Sequence, residues 1–189
     1  EGVISAFTNF DGVELDLNIS SDGIFFFCHE KDWTNEIIAR NYKYSEISTF
    51  LKKDSILSLQ EGIELVNKYN KILCIHSEIG GGGMRWSNPF SGAEFARVVN
   101  MVDKCIYKNK IMFHTISENL CIFLREKGYT VFFRGGMSGS GLPMLRINQI
   151  KNKANILNFP KIMAYTINNK DEIKNLSRKN VGYLLTDKL

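Results

Sequence analysis

Short β-rich runs alternate with helical patterns along this chain, the sequence form of repeated βα units and a mainly parallel sheet. The strand candidates are residues 12–17, 24–28, 72–77, 111–113, 130–133, 162–166 and 182–185, seven in all. Between them, Ser58 with Glu61 and Ser91 with Glu94 form Ser-x-x-Glu capping boxes that open apolar helical runs. In each box the hydroxyl and the carboxylate satisfy backbone donors that the first helical turn leaves unpaired. Ser117 caps a third helix that runs through Leu120, Phe123 and Leu124 and stops at Gly128, a residue suited to the left-handed conformation of many helix ends. A fourth helix is predicted over residues 169–179. Residues 135–159 have Gly135, Gly136, Gly139 and Gly141 close together and no clear period, and read as a long loop over one end of the sheet. A closed parallel barrel needs about eight strands. A count of seven therefore leaves an open sheet, an overlooked strand, or a strand upstream of Glu1, and a start at glutamate rather than methionine favours the last.

Composition narrows the class. A chain of 189 residues, 44% apolar and 23% charged, has the size and make-up of one globular domain, and no repeat, low-complexity tract or Pro-rich linker divides it. A single domain over residues 1–189 is expected. Its 24 basic and 20 acidic side chains leave a net charge of +4 without a block of like charges, which argues against a nucleic-acid partner. No apolar stretch approaches the roughly 18 residues of a membrane span, and no signal-peptide pattern opens the chain. The four cysteines, Cys28, Cys74, Cys105 and Cys121, lack metal-type spacing, which fits a reducing, cytoplasmic compartment. Nothing in the pattern speaks to oligomeric state.

The candidate chemistry is densest in residues 11–30. Glu14 and Asp16 are two apart in a strand and share one face, which in a helix-covered parallel sheet is expected to be apolar. Two carboxylates there call for compensation, and paired oxygen ligands suit a hard divalent cation. An isolated Glu-x-Asp is more often an exposed or salt-bridged strand face. Here the next strand ends at His29, and strand ends are where a barrel displays catalytic groups. His114 ends its own strand as well, although a structural histidine is at least as common a reading. The glycines Gly80 to Gly83 have no following Lys-Ser/Thr and do not make a P-loop.

The run Val13-Glu14-Leu15-Asp16-Leu17, the turn Ser21-Asp22-Gly23-Ile24 and the pair His29-Glu30, in that order, resemble the signature of the glycerophosphodiester phosphodiesterase family. In that signature a Glu-x-Asp metal pair is followed by a Thr-Lys-Asp-Gly-like turn and a His-Asp. Ala164-Tyr165-Thr166-Ile167-Asn168 resembles the family's Trp-Thr-Val-Asn strand, and residues 181–187, Val-Gly-Tyr-Leu-Leu-Thr-Asp, resemble its closing strand. Ser58-Leu59-Gln60-Glu61 and Ser5-Ala6-Phe7 match further family positions, so the ordered set covers nearly the whole chain. The resemblance implies an α/β fold, a (β/α)8 TIM-type barrel whose first strand is missing from this chain. It makes Glu14 and Asp16 metal ligands and His29 one of two catalytic histidines.

Two departures bear on function. The family's other histidine belongs to a His-Arg pair upstream of the segment matching Glu1, and its third metal carboxylate lies in a Glu-x-Lys where this chain has His76-Ser77-Glu78. Either His76 or Glu78 then completes the metal set. The resemblance implies magnesium or calcium as cofactor, with manganese or zinc admitted if His76 is a ligand. With the family's lysine absent, Arg85 or Arg134 is expected to bind the phosphate, and Tyr165 to line the substrate pocket. The implied activity is metal-dependent hydrolysis of a glycerophosphodiester-type small molecule, a reaction of lipid metabolism, with histidine acid/base catalysis. Two alternatives remain open: a degenerate member that binds a phosphorylated ligand without turnover, and a phosphodiesterase for another polyol or sugar phosphate.

Overall fold

The computed structural model describes residues 2–28, 39–51, 56–77, 90–134, 142–146, 162–165, 169 and 181–185. The chain forms two compact units, Glu1–Phe113 and His114–Leu189, and the boundary falls inside one strand.

The first unit contains helices α1 (Gly2–Asn9), α2 (Tyr44–Phe50), α3 (Leu59–Tyr69) and α4 (Gly92–Val102). Its strands are β1 (Gly12–Ile19), β2 (Phe25–Phe27), β3 (Leu57–Ser58), β4 (Ile72–His76) and the start of β5 (Ile111–Thr115), in the order β3-β2-β1-β4-β5. Both predicted capping boxes are formed, with Ser58 Oγ accepting from Glu61 N and Ser91 Oγ from Glu94 N. Helix α3 ends at Asn70, whose φ of 52° is the left-handed conformation that asparagine tolerates better than most residues. Gly62 lets α3 lie tightly on β2, because a Cβ there would come within 2.8 Å of the Phe27 ring.

β1 changes partner along its length. Gly12 to Asp16 pair in parallel with β4, and Leu17 to Ile19 pair antiparallel with β2, which itself pairs antiparallel with β3. Residues 24–28, read from sequence as one strand of a parallel series, are therefore part of an antiparallel ribbon. The Phe25-Phe26-Phe27 run has no period that distinguishes the two cases, because all three side chains are buried. Phe26 packs with Cys28, Ala39, Ile47 and Ile56, while Phe25 meets the Phe90 ring at 6.0 Å and carries the Arg97 guanidinium over its face. The turn into β2 is built on Gly23, at φ 78°, and on Asp22, which accepts from Ser20 Oγ and from the Tyr44 backbone.

The second unit holds the end of β5, α5 (Glu118–Glu126), β6 (Thr130–Phe133), β7 (Leu142–Arg146), β8 (Ile162–Tyr165) and β9 (Val181–Leu184). β6, β7, β8 and β9 pair in that order, each parallel to the next. Helix α5 starts at the Ser117 cap and is followed by Gly128 at φ 83°, as the sequence implied. β7 lies inside the stretch read as a loop. Pro143 interrupts the apolar run and lacks the ladder donor, so the segment has no strand signature, yet it pairs with both β6 and β8. The helix expected at 169–179 lies outside the described residues apart from Asn169. Among the described residues no helix is long and apolar enough to cross a membrane, and the four cysteines are buried thiols.

Candidate metal centre

The positions of Glu14, Asp16 and His76 follow from how β1 and β4 meet. At the start of the pair Gly12 lies opposite Ile72, so closely that a Cβ on Gly12 would fall 2.4 Å from the Ile72 carbonyl oxygen. Ile72 N donates to Asp11 O at 2.9 Å, and Lys71 Nζ donates to Phe10 O at 2.7 Å, which locks this end. From there the parallel ladder counts forward to Glu14 opposite Cys74 and Asp16 opposite His76. Period-two alternation puts these four side chains on one face, while Leu73 and Ile75 are fully buried on the other.

On that face His76 Nδ1 lies 2.5 Å from Asp16 Oδ1 and 3.9 Å from Glu14 Oε1. The three side chains retain only 17% (His76), 18% (Glu14) and 29% (Asp16) of their exposure. Two part-buried carboxylates two residues apart on one strand face lose hydration, a cost that a bound cation would offset. Neighbouring Cys74 feels the same field. Full burial, and secondarily the negative charge of Glu14, push its thiol well above the ordinary range, so it stays neutral.

The backbone at Asp16 is held as firmly as its side chain. Its carbonyl accepts from Cys28 N at 3.1 Å and from Asn18 Nδ2 at 3.3 Å, and the same Asn18 amide donates to Cys28 O at 2.9 Å. Asn18 shares the face of Glu14 and Asp16 and clasps β1 to the end of β2, at the point where β1 leaves β4. The strand extends beyond the predicted residues 12–17 to Ile19 and so takes in Asn18. Its spacing of two from Asp16 is the signal that extends the polar face.

Glu14 and His76, on adjacent strands, offer an oxygen and a nitrogen ligand atom within 4.8 Å of each other, a separation that suits a divalent cation, and Asp16 bonds to His76 beside them. Of the residues singled out from sequence, the structure thus brings together Glu14, Asp16 and His76. His29, Glu78 and Arg85 lie outside the described residues. Arg134 belongs to the second unit, just past β6, partly buried, with its backbone N–H donating to Thr115 O. Tyr165 is the last residue of β8 and pairs with Arg146. His114 is buried within β5, before its last residue, and is the first residue of the second unit.

No family model and no curated protein sequence matches the chain. Solved structures do match. A glycerophosphodiester phosphodiesterase from Thermotoga maritima is similar over 99% of this chain and 88% of its own, at 19% identity and a TM-score of 0.72. One from Parabacteroides distasonis covers 98% of this chain and 85% of its own, at 13% identity and a TM-score of 0.75. A phosphodiesterase from Oleispira antarctica, solved with the product sn-glycerol-3-phosphate, covers 98% and 85%, at 14% identity and a TM-score of 0.70. At 13–19% identity the likeness is one of fold, and the chain has the fold of the glycerophosphodiester phosphodiesterases, the α/β TIM-type barrel.

Proposed function

We propose that this protein hydrolyses a small phosphodiester of the glycerophosphodiester type at a divalent-metal centre held by Glu14, Asp16 and His76. The observation that carries this reading is the convergence of the three donors on one face of β1 and β4, where the parallel ladder between them ends. A bound divalent cation supplies Lewis-acid stabilisation of the charge that gathers on the phosphoryl oxygens. The chain's own residues do the rest. Glu14 and Asp16 provide fixed negative oxygens that hold the cation, and the clasp by Asn18 and Cys28 keeps Asp16 from drifting. His29 is assigned the proton transfers and an arginine the counter-charge of the phosphate, both on the family resemblance. The fold, shared with phosphodiesterases of which one was solved with sn-glycerol-3-phosphate, supports a glycerol phosphate as the product class.

A second reading, a binding protein without turnover, is favoured by one observation. His76 stands where the family has a carboxylate, and its Nδ1 engages Asp16 at 2.5 Å. One assay separates the two. The purified protein is incubated with a glycerophosphodiester and manganese, magnesium or calcium, and release of glycerol phosphate is followed. Metal-stimulated release that excess chelator abolishes is the expected result. Tight binding of glycerol phosphate with no release under any metal would establish the second reading and exclude the first.

A further inference from the structure

Donor chemistry at this centre says more than that a cation binds. Magnesium and calcium are hard ions that take oxygen ligands, while imidazole nitrogen suits manganese, cobalt and zinc. His76 is not peripheral to the two carboxylates. Its Nδ1 is 2.5 Å from one and 3.9 Å from the other, so a cation held by either carboxylate lies beside the imidazole. Nor is the imidazole free to leave. It is 17% exposed, it is in register with Asp16, and its strand is anchored through Leu73 and Ile75, both fully buried on the opposite face.

We infer that this centre selects a transition divalent cation, manganese, cobalt or zinc, over magnesium and calcium, and that His76 is the residue that sets the choice. The inference rests on the proposed function only for the location of the metal, and its test needs no substrate.

Calorimetric titration of the metal-free full chain with manganese, zinc, magnesium and calcium gives the affinity ratios, and cobalt titration gives a visible absorption spectrum that reports nitrogen in the coordination sphere. His76→Asp and His76→Gln each replace the nitrogen donor with oxygen, and circular dichroism identifies which variants are folded. The expected result is cobalt absorption that loses intensity in the variants. The preference for manganese or zinc over magnesium should also fall by at least about ten-fold, the lower end of what changing even an outer partner of a ligand does. Unchanged ratios and an unchanged cobalt spectrum in a folded variant would overturn the inference and leave the proposed hydrolase standing. Absence of binding by any of the metals to the unsubstituted chain would overturn both.

Discussion

The two halves of β1 are built on opposite terms. From Gly12 to Asp16 the strand lies beside β4 and places two carboxylates next to an imidazole, an arrangement that costs hydration and gains little from burial. From Leu17 to Ile19 it lies beside β2, where Phe25, Phe26 and Phe27 are all buried, as are Leu17 and Ile19. The antiparallel ribbon supplies the apolar burial that the carboxylate end of the strand lacks. Asn18 joins the two regions, since its side chain bonds to the Asp16 carbonyl on one side and the Cys28 carbonyl on the other. The comparison teaches that the chemistry and the stability of this face reside in neighbouring residues of one strand and should respond separately to mutation.

The largest expected effect is on the ribbon. Phe26→Ala removes a fully buried ring from the cluster with Ile47 and Ile56. It should cost about 3–5 kcal/mol in denaturant unfolding, while the protein that remains folded keeps its metal affinity. A loss of metal affinity in that folded fraction would mean the two regions are not separable. Next comes the opposite experiment. Asp16→Ala should lower metal affinity by more than about 100-fold, beyond the range of outer-sphere changes, yet leave the metal-free protein folded, because Cys28 and Asn18 hold residue 16 through its backbone carbonyl, which the substitution keeps. A strongly destabilised Asp16→Ala would show that the carboxylate is structural.

Gly12→Ala tests the register that aligns Asp16 with His76. The added methyl has no space against the Ile72 carbonyl, and overpacking of this kind costs about 1–3 kcal/mol. Metal affinity should fall along with stability, since the shift propagates along the ladder to Asp16; a change in stability alone would mean the site tolerates slippage.

The smallest effect lies away from both halves. Arg40 binds Glu94 through two hydrogen bonds, which, with the Ser91 cap, hold the Glu94 carboxyl at about 2, against an ordinary value of 4.5. A depressed folded value means the stabilisation is complete above pH 4.5 and is lost as pH falls towards 2. Arg40→Met should therefore remove about 1 kcal/mol at neutral pH, a modest amount because both side chains are partly exposed. The stability difference between variant and parent should vanish near pH 2; a difference that persists there would assign it to packing by the arginine stem.

Several of these features are legible in the sequence, and the physical reasons divide them. The capping boxes of α3 and α4 and the Ser117 cap of α5 are local, so residues three apart suffice to read them. The shared face of Glu14 and Asp16 is likewise a matter of period two. The direction of β2 is not local. Three phenylalanines buried on both faces carry no alternation, and only the pairing with Leu17 to Ile19 shows the strand to be antiparallel. β7 is hidden by Pro143, and β3 by its length of two residues. The contact of His76 with Asp16 depends on register across 60 residues, set at Gly12 and Ile72, and no spacing in the chain encodes it. Helix α1, in which Phe7 is fully buried and stacks on Tyr69, went unassigned because Ser5, Thr8 and Asn9 give its short run no clear helical preference.

Metal dependence of phosphodiester cleavage tests whether Glu14, Asp16 and His76 form a working metal centre. Release of glycerol phosphate from a glycerophosphodiester is measured with chelator-stripped protein, with each divalent metal restored in turn, and with Asp16→Ala in parallel. The predicted result is no release without metal, recovery on adding a divalent cation, and no recovery in the variant. Full activity in excess chelator, or an Asp16→Ala variant as active as its parent, would contradict it.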